Sequence, residues 1–281
     1  MFKHKTLAFM LKLLSKLPLC VAHLLGAALG WASYLSYKKY AKLINQNLKL
    51  SGLARDEISF KKTLHRNISE TGKAFLETFA IWFKDYSKLK KWYQGCTGWE
   101  HVESALAKGK GIVFLTPHLG CFEITSLYYG QFHPITVLFR PPRQDWLMPL
   151  INQGRQRGQV SLAPANAQGV KLLLQALKRG EAIGILPDQA PHEGEGEWAP
   201  FFGRRAYTMT LASKLAEKSG AQVLIAFGER LENGGGYHIH IKPIEEGGIN
   251  TTALLNKEIE QAIAQCPSQY MWVYDRYKVR N

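Results

Sequence analysis

The stretch GIVFLTPHLGCFEI, residues 111 to 124, sets a histidine and a glutamate five residues apart behind an apolar, strand-like run. On a continuous helix, residues five apart point about 140° away from each other, so His118 and Glu123 can meet only if His118 precedes the helix and Glu123 lies in its first turns. Pro117 favours that break. A histidine oriented by a carboxylate, beside the N–H groups of a helix start, suits general-base chemistry. The carboxylate fixes the tautomer and steadies the imidazolium, while the helix terminus disfavours permanent protonation. A capping or core histidine is the competing explanation, and the pair alone does not choose.

Two more strand-like runs end on polar residues: ITVLF runs into Arg140, and EAIGIL runs through a leucine-proline step into Asp188. If the three strands are parallel, His118, Arg140 and Asp188 share the carboxyl edge of a sheet, where open α/β folds place their sites. Arg140 is followed by Pro141, Pro142 and Arg143, and the next helical segment carries Arg155 and Arg157. Guanidinium groups bind phosphate or carboxylate in a bidentate way, so an anionic substrate fits. Singly, each arginine reads equally as a solvated surface residue, and Asp188 as a turn former.

These residues need elements to hold them. Helical patterns cover 56 to 83 and 99 to 107. Beyond the opening stretch the chain alternates: strand 134 to 139, helices near 145 to 157 and over 168 to 178, strand 181 to 186, helix 207 to 218, strands 222 to 230 and 237 to 241, helix 251 to 265. That alternation predicts an α/β fold, a mixed, mostly parallel sheet covered by helices, with an antiparallel hairpin around Asn233 to Gly236. The loop from Asp188 to Thr208 carries glycines and the rings of Trp198, Phe201 and Phe202. It either folds over an apolar substrate or is a surface excursion tied down by its aromatics. His238 and His240 alternate on one strand face without a third ligand, and read as structural or exposed.

At the N-terminus, residues 1 to 18 read as a basic helix with an apolar face. Residues 19 to 37 then run without Asp, Glu, Lys or Arg. As a helix this run is roughly 28 Å long, against about 30 Å of bilayer hydrocarbon. Trp31, Tyr34 and Tyr37, then Lys38, Lys39 and Lys42, make the aromatic and basic edge expected at a lipid interface. The expectation is a membrane-associated segment over 1 to 40, spanning or lying in the surface, ahead of one α/β domain over 41 to 281.

A net charge of +14 and a hydrophobic content of 46% describe a folded protein with an acidic partner: nucleic acid, an anionic membrane, or a phosphorylated or acidic substrate. The four cysteines are scattered, so neither a disulfide nor a structural metal is expected. Serine-hydrolase, P-loop and dinucleotide fingerprints are absent from the sequence.

Taken in order, the blocks HLGCFE, LFRPPR, GRQRG, LPDQAP, PFFGRRAYT and PSQYMWVYDRYKVR, behind a hydrophobic N-terminal helix, resemble the late acyltransferases of bacterial lipid A synthesis. The resemblance covers nearly the whole chain and implies a fold like that of the glycerol-phosphate acyltransferases, with their H-x-x-x-x-(D/E) dyad. By resemblance His118 and Glu123 carry catalysis, Arg140 and Asp188 lie near the site, and Arg276 and Lys278 belong to a C-terminal basic motif. Arg155, Arg157 and Arg276 join Arg140 and Asp188 as expected substrate-binding residues. Pro117 stands where the family usually has Asn, and Asp275 where a basic residue is usual. The implied reaction moves a fatty acyl group from an acyl carrier protein thioester to a hydroxyl of an acylated sugar-phosphate lipid. It implies the cytoplasmic face of the inner membrane, no cofactor, no metal and no nucleic acid. A glycerophospholipid acyltransferase would share the dyad, but its glycine-rich, arginine-containing block is not evident. A non-enzymatic basic protein on membrane or nucleic acid would explain the charge but not the three aligned strand ends.

Overall fold

All four residues of β2 (Ile112–Leu115) are buried, and they are apolar on both faces, the pattern of a central strand covered on two sides. The structure, a computed structural model, describes residues 15–142 and 144–278. The basic helix expected over 1 to 18 falls largely outside them, as does Arg143.

Strands β1 (Tyr93–Thr97), β2, β3 (Ile135–Phe139), β4 (Val160–Pro164), β5 (Ala182–Ile185), β8 (Gln222–Arg230) and β9 (Tyr237–Pro243) form one sheet in the order β1-β9-β8-β2-β5-β3-β4. Five neighbouring strands from β8 to β4 are parallel, with β2 paired to β5 on one side and β8 on the other. β9 breaks the pattern, returning antiparallel to β8 through a turn in which Asn233, Gly234 and Gly236 have positive φ, and the edge strand β1, parallel to β9, shares its direction. The mixed, mostly parallel sheet and its hairpin are therefore as the alternation indicates.

Alternate strand residues feed two separate cores. Val113, Leu115, Ile183, Ile185, Val223 and Ile225 point into one, and Ile112, Phe114, Ala182 and Leu224 into the other. The first is covered by α7 (Ala167–Lys178), α8 (Leu211–Ser219) and α9 (Thr252–Ile263); the second by α4 (Trp99–Ala107), α5 (Phe122–Tyr129) and α6 (Met148–Arg155).

Three N-terminal helices, α1 (Leu19–Ser36), α2 (Lys38–Leu50) and α3 (Glu57–Phe83), flank this body. Asp56 caps α3 through a reciprocal exchange with Ser59, which fixes where this helix begins. Among the described residues, α1 is the one helix long and apolar enough to cross a membrane. It does not stand apart: Leu19, Ala22, His23, Gly26 and Gly30 are buried, and the helix lies along α3 at backbone contact. A Cβ built on Gly72 would sit 2.0 Å from the Gly26 carbonyl oxygen, and one on Gly30 would sit 2.2 Å from the Ile68 carbonyl oxygen. Its opposite side exposes Val21, Leu24, Leu25, Leu29 and Leu35.

The helix expected over 207 to 218 is corrected. Residues Gly196–Phe201 (β6) and Arg204–Met209 (β7) form an antiparallel hairpin, and helix α8 starts only at Leu211. Ala206 and Thr208 point inward on alternate positions, which a strand satisfies and a helix would not. The two-residue turn puts Phe202 (φ 46) and Gly203 (φ 71) in the left-handed region, the geometry that matches strand twist but that a phenylalanine rarely adopts. Phe201 is buried, Phe202 packs on Trp272, and Trp198 lies against Tyr207 at the surface with the two rings tilted. The aromatic cluster pins this hairpin to the body.

Because α1 and α3 meet backbone to backbone at Gly72, Gly72→Val should cost about 1–3 kcal/mol by overpacking. The check is a lowered midpoint in thermal unfolding of the purified chain.

Candidate active site

β2 and β5 end side by side, and Thr116 N–H still bonds the Ile185 carbonyl at 2.9 Å, so the residues just beyond the two strands are held at one level. Past β2 comes His118; past β5 comes Asp188. The Asp188 carboxylate grips the histidine twice: Oδ2 accepts from the His118 backbone N–H at 2.9 Å, and Oδ1 accepts from ring Nδ1 at 2.8 Å. A carboxylate only accepts, so the Nδ1 position carries the proton and the lone pair is left on Nε2. Gln189 Nε2 lies 3.2 Å from that atom. The Asp188 side chain is 2% exposed. Burial pushes its pKa up, but the adjoining imidazole and the two hydrogen bonds from His118 outweigh it and hold the carboxyl below its usual range.

The loop between β2 and α5 is tied along its length. Met271 N–H donates to the His118 carbonyl (3.1 Å), Gly120 N–H to the Gln269 carbonyl (3.0 Å) and Cys121 N–H to the Gly228 carbonyl (2.8 Å). Gly120 needs its φ of 60°, and a Cβ there would stand 2.1 Å from the Gly228 oxygen. The first-turn N–H groups of α5, on Phe122 and Glu123, have no acceptor among the described residues and begin beside the histidine, whose ring lies 4.8 Å from that of Phe122.

The local pairing of His118 with Glu123 is corrected. Both Glu123 oxygens accept from Arg155: the Nε–Oε2 distance is 2.8 Å, and Nη2 completes a forked pair with Oε1. Glu123 makes no hydrogen bond to the histidine. Position 123 falls in the first turn of α5, facing α6, and the arginine at the end of α6 reaches it. Arg155 also lies over the Trp82 ring at 5.4 Å. Burial lowers its pKa and the Glu123 carboxylate raises it, with the net upward, so the guanidinium keeps its charge.

A cavity of about 670 Å³ opens on His118, inside the ~300–1,000 Å³ range of small-molecule sites. Its inner walls are apolar, with Phe114, Tyr128, Val137, Leu162 and Ile239. His118, Glu123, Arg140, Arg155 and Gln189 supply polar groups to its lining. Arg140 is exposed and has no partner among the described residues, so its guanidinium is available.

Two expected anion-binding arginines are spent elsewhere. Arg157 donates to the carbonyls of Ile81, Lys84 and Gly154, closing the end of α3. Arg276 is buried, donating to Tyr207 O at 2.6 Å and Thr208 Oγ1 at 2.7 Å beneath the hairpin. Neither lines the cavity. Asp188, expected to bind substrate, binds His118. Sequence reasoning missed Gln189, although it follows Asp188 directly, and Lys214, which lines the cavity from the first turn of α8 with no signal beyond its charge.

The family profile for bacterial lipid A biosynthesis acyltransferases matches residues 5–279. The chain is 29% identical over 277 residues to the lipid A biosynthesis lauroyltransferase of Escherichia coli K12, covering 95% of this chain and 89% of that protein. It is 27% identical over 270 residues to the palmitoleoyltransferase of the same organism, covering 94% and 87%. A lipid A biosynthesis acyltransferase of Haemophilus influenzae is 27% identical over 276 residues, covering 94% and 86%.

The depressed Asp188 pKa has a measurable sign. A carboxyl with a lower pKa folded than unfolded stabilises the fold fully above its unfolded value of about 3.9, and that stabilisation is lost as pH falls through the folded value. Urea unfolding should therefore show Asp188→Asn clearly less stable than the natural chain at about pH 6, with the gap narrowing as pH drops below about 4.

Proposed function

The chain belongs to the bacterial lipid A biosynthesis acyltransferase family, and from that premise we propose that it moves a fatty acyl group from an acyl carrier protein thioester to a hydroxyl of an acylated sugar-phosphate lipid, a lipid A precursor. The observation that carries this reading is the His118 ring, fixed by Asp188 with its Nε2 lone pair at a cavity that is apolar within and basic at Arg140.

In this reading Nε2 takes the proton of the acceptor hydroxyl as its oxygen attacks the thioester carbonyl. Charge gathers on the carbonyl oxygen, and the first-turn N–H groups of α5, without a backbone acceptor of their own, would receive it. The C–S bond then breaks, and the leaving thiolate recovers the proton from the His118 imidazolium. Asp188 steadies that imidazolium without accepting its proton. Glu123 acts through Arg155, keeping a guanidinium upright in the wall, while Arg140 meets an acceptor phosphate. The apolar inner walls suit an acyl chain.

The uncharged outer side of α1 supports attachment to the inner membrane on its cytoplasmic face. Val21, Leu24, Leu25 and Leu29 form one stripe, and Lys38 and Lys39 follow at its end. Because the other side of α1 is packed on α3, the helix is proposed to lie in the surface. The acidic carrier protein and the anionic lipid both suit a chain of net charge +14.

Purified chain mixed with acyl carrier protein thioester and precursor lipid should yield product heavier by one acyl group in mass spectrometry; no mass gain with any acyl length would sink the reading. His118→Ala should lower kcat by ~10²- to 10⁴-fold. Asp188→Asn should approach that loss, and the double variant should be little worse than His118→Ala, since the two act as one unit. Glu123→Gln combined with His118→Ala should instead lose more than either alone.

Arg140→Ala is expected to raise KM for the phosphorylated acceptor while leaving KM for the acyl donor within about twofold, a lost charge-assisted contact of about 1.5–3 kcal/mol. Steady-state kinetics with each substrate varied in turn read the difference.

A further inference from the structure

Arg230 ends β8 with its side chain 1% exposed, at the same sheet edge as His118. Its guanidinium is forked onto Glu77 of α3, with Nε to Oε2 at 2.8 Å and Nη2 to Oε1, and Nη1 donates to Glu70 Oε2 at 2.5 Å. Glu77 also receives Tyr237 Oη at 2.9 Å and lies 3.1 Å from His23 Nε2 of α1. Such a cluster is a poor way to hold a helix on a sheet, since apolar residues of similar volume do it as well without desolvating charge. One contact distinguishes it: Nη2 also donates to the Gly120 carbonyl at 3.2 Å.

Gly120 lies two residues after His118 in a backbone conformation reserved for glycine. Its N–H goes to the Gln269 carbonyl, and the Gln269 side chain in turn bonds both the N–H and the carbonyl of Arg230, each at 2.8 Å. Arg230 and Gln269 therefore hold both polar groups of that one residue. We infer that Arg230, oriented by Glu77 and Glu70, is a positioning residue for the reaction: by fixing Gly120 it sets the height and angle at which His118 meets Asp188 and the cavity. The inference rests on His118 as the base. It adds that the geometry of this base is controlled from α3, and through His23 from α1, by residues that touch no substrate.

The test uses the purified full chain and two readouts. One is kcat and KM for acyl transfer. The other, independent of any reaction, is the low-field proton resonance of the His118 Nδ1–H, assigned by its loss in His118→Ala. Arg230→Lys keeps a cation between Glu77 and Glu70 but loses the fork that reaches Gly120. It should lower kcat about 10- to 100-fold with donor KM nearly unchanged, and shift or broaden the resonance. Ile259→Ala, a buried change on α9, should lower the unfolding midpoint yet keep the resonance and kcat at temperatures where it is folded. If Arg230→Lys does not fold, Glu70→Gln, which removes the charge of one partner of the guanidinium, takes its place with the same criteria. A folded variant with natural kcat and an unmoved resonance would overturn the inference, as would a kcat loss that Ile259→Ala matches at equal stability. A moved resonance in a chain that transfers no acyl group would uphold the positioning role and refute the reaction instead.

Discussion

A carboxylate sealed from water must be met by donors on its own terms, and at Asp188 the backbone and the ring of one residue, His118, both donate to it. Much else in the architecture stems from that demand. The two residues are seventy positions apart, so they meet only because β2 and β5 are neighbouring parallel strands in register, each stopping at the same level. Helices must then cover both faces, because parallel strands buried on two sides have no other way to be dry. The loop after β2 cannot drift either, and three carbonyl contacts to Met271, Gln269 and Gly228 tie it to segments far along the chain. A histidine with a defined tautomer is thus a property of the whole sheet edge.

What could be read from the sequence depends on the range of the forces involved. Buried parallel strands declare themselves as short apolar runs, as β2, β3, β5 and β8 do, while β9 shows by its alternation; the shared edge on which His118, Arg140 and Asp188 fall could be read as well. The edge strands β1 and β4 are partly exposed and carry Gly95 or Ser161 among their apolar residues, so no periodicity marks them. The hairpin β6–β7 escaped because its turn is made by Phe202 and Gly203, without the Asn-Gly or Asp-Gly pair that normally advertises such a turn. For the site, spacing along the chain favoured Glu123 as the histidine's partner. Spacing cannot report a rival carboxylate delivered by a neighbouring strand, and Arg155 had already claimed Glu123.

The arginines teach a related point. A strongly basic composition invites the view that guanidinium groups face an anionic ligand, yet Arg157, Arg230 and Arg276 all turn inward, onto carbonyl, carboxylate and hydroxyl oxygens. A planar fork with five donors is well suited to ending helices and closing loops in a protein interior. Of Arg140, Arg155, Arg157 and Arg276, only Arg140 is both in the cavity and unpaired among the described residues. Net charge still bears on partners, but through the exposed lysines more than through these groups.

The backbone contact between α1 and α3, made possible by glycines 26, 30 and 72, bears on how such a molecule would work at a lipid surface. A flexible tether lets a catalytic body swing and sample many heights. A helix keyed into the body at three glycines allows no swing, so wherever the exposed leucines of α1 settle, the cavity mouth is carried to a set elevation and tilt. On the proposed function the enzyme would then act as a fixed-height tool, measuring how far an acceptor hydroxyl stands from the lipid plane. Selection among hydroxyls of one glycolipid would depend on this stand-off as well as on the shape of the cavity.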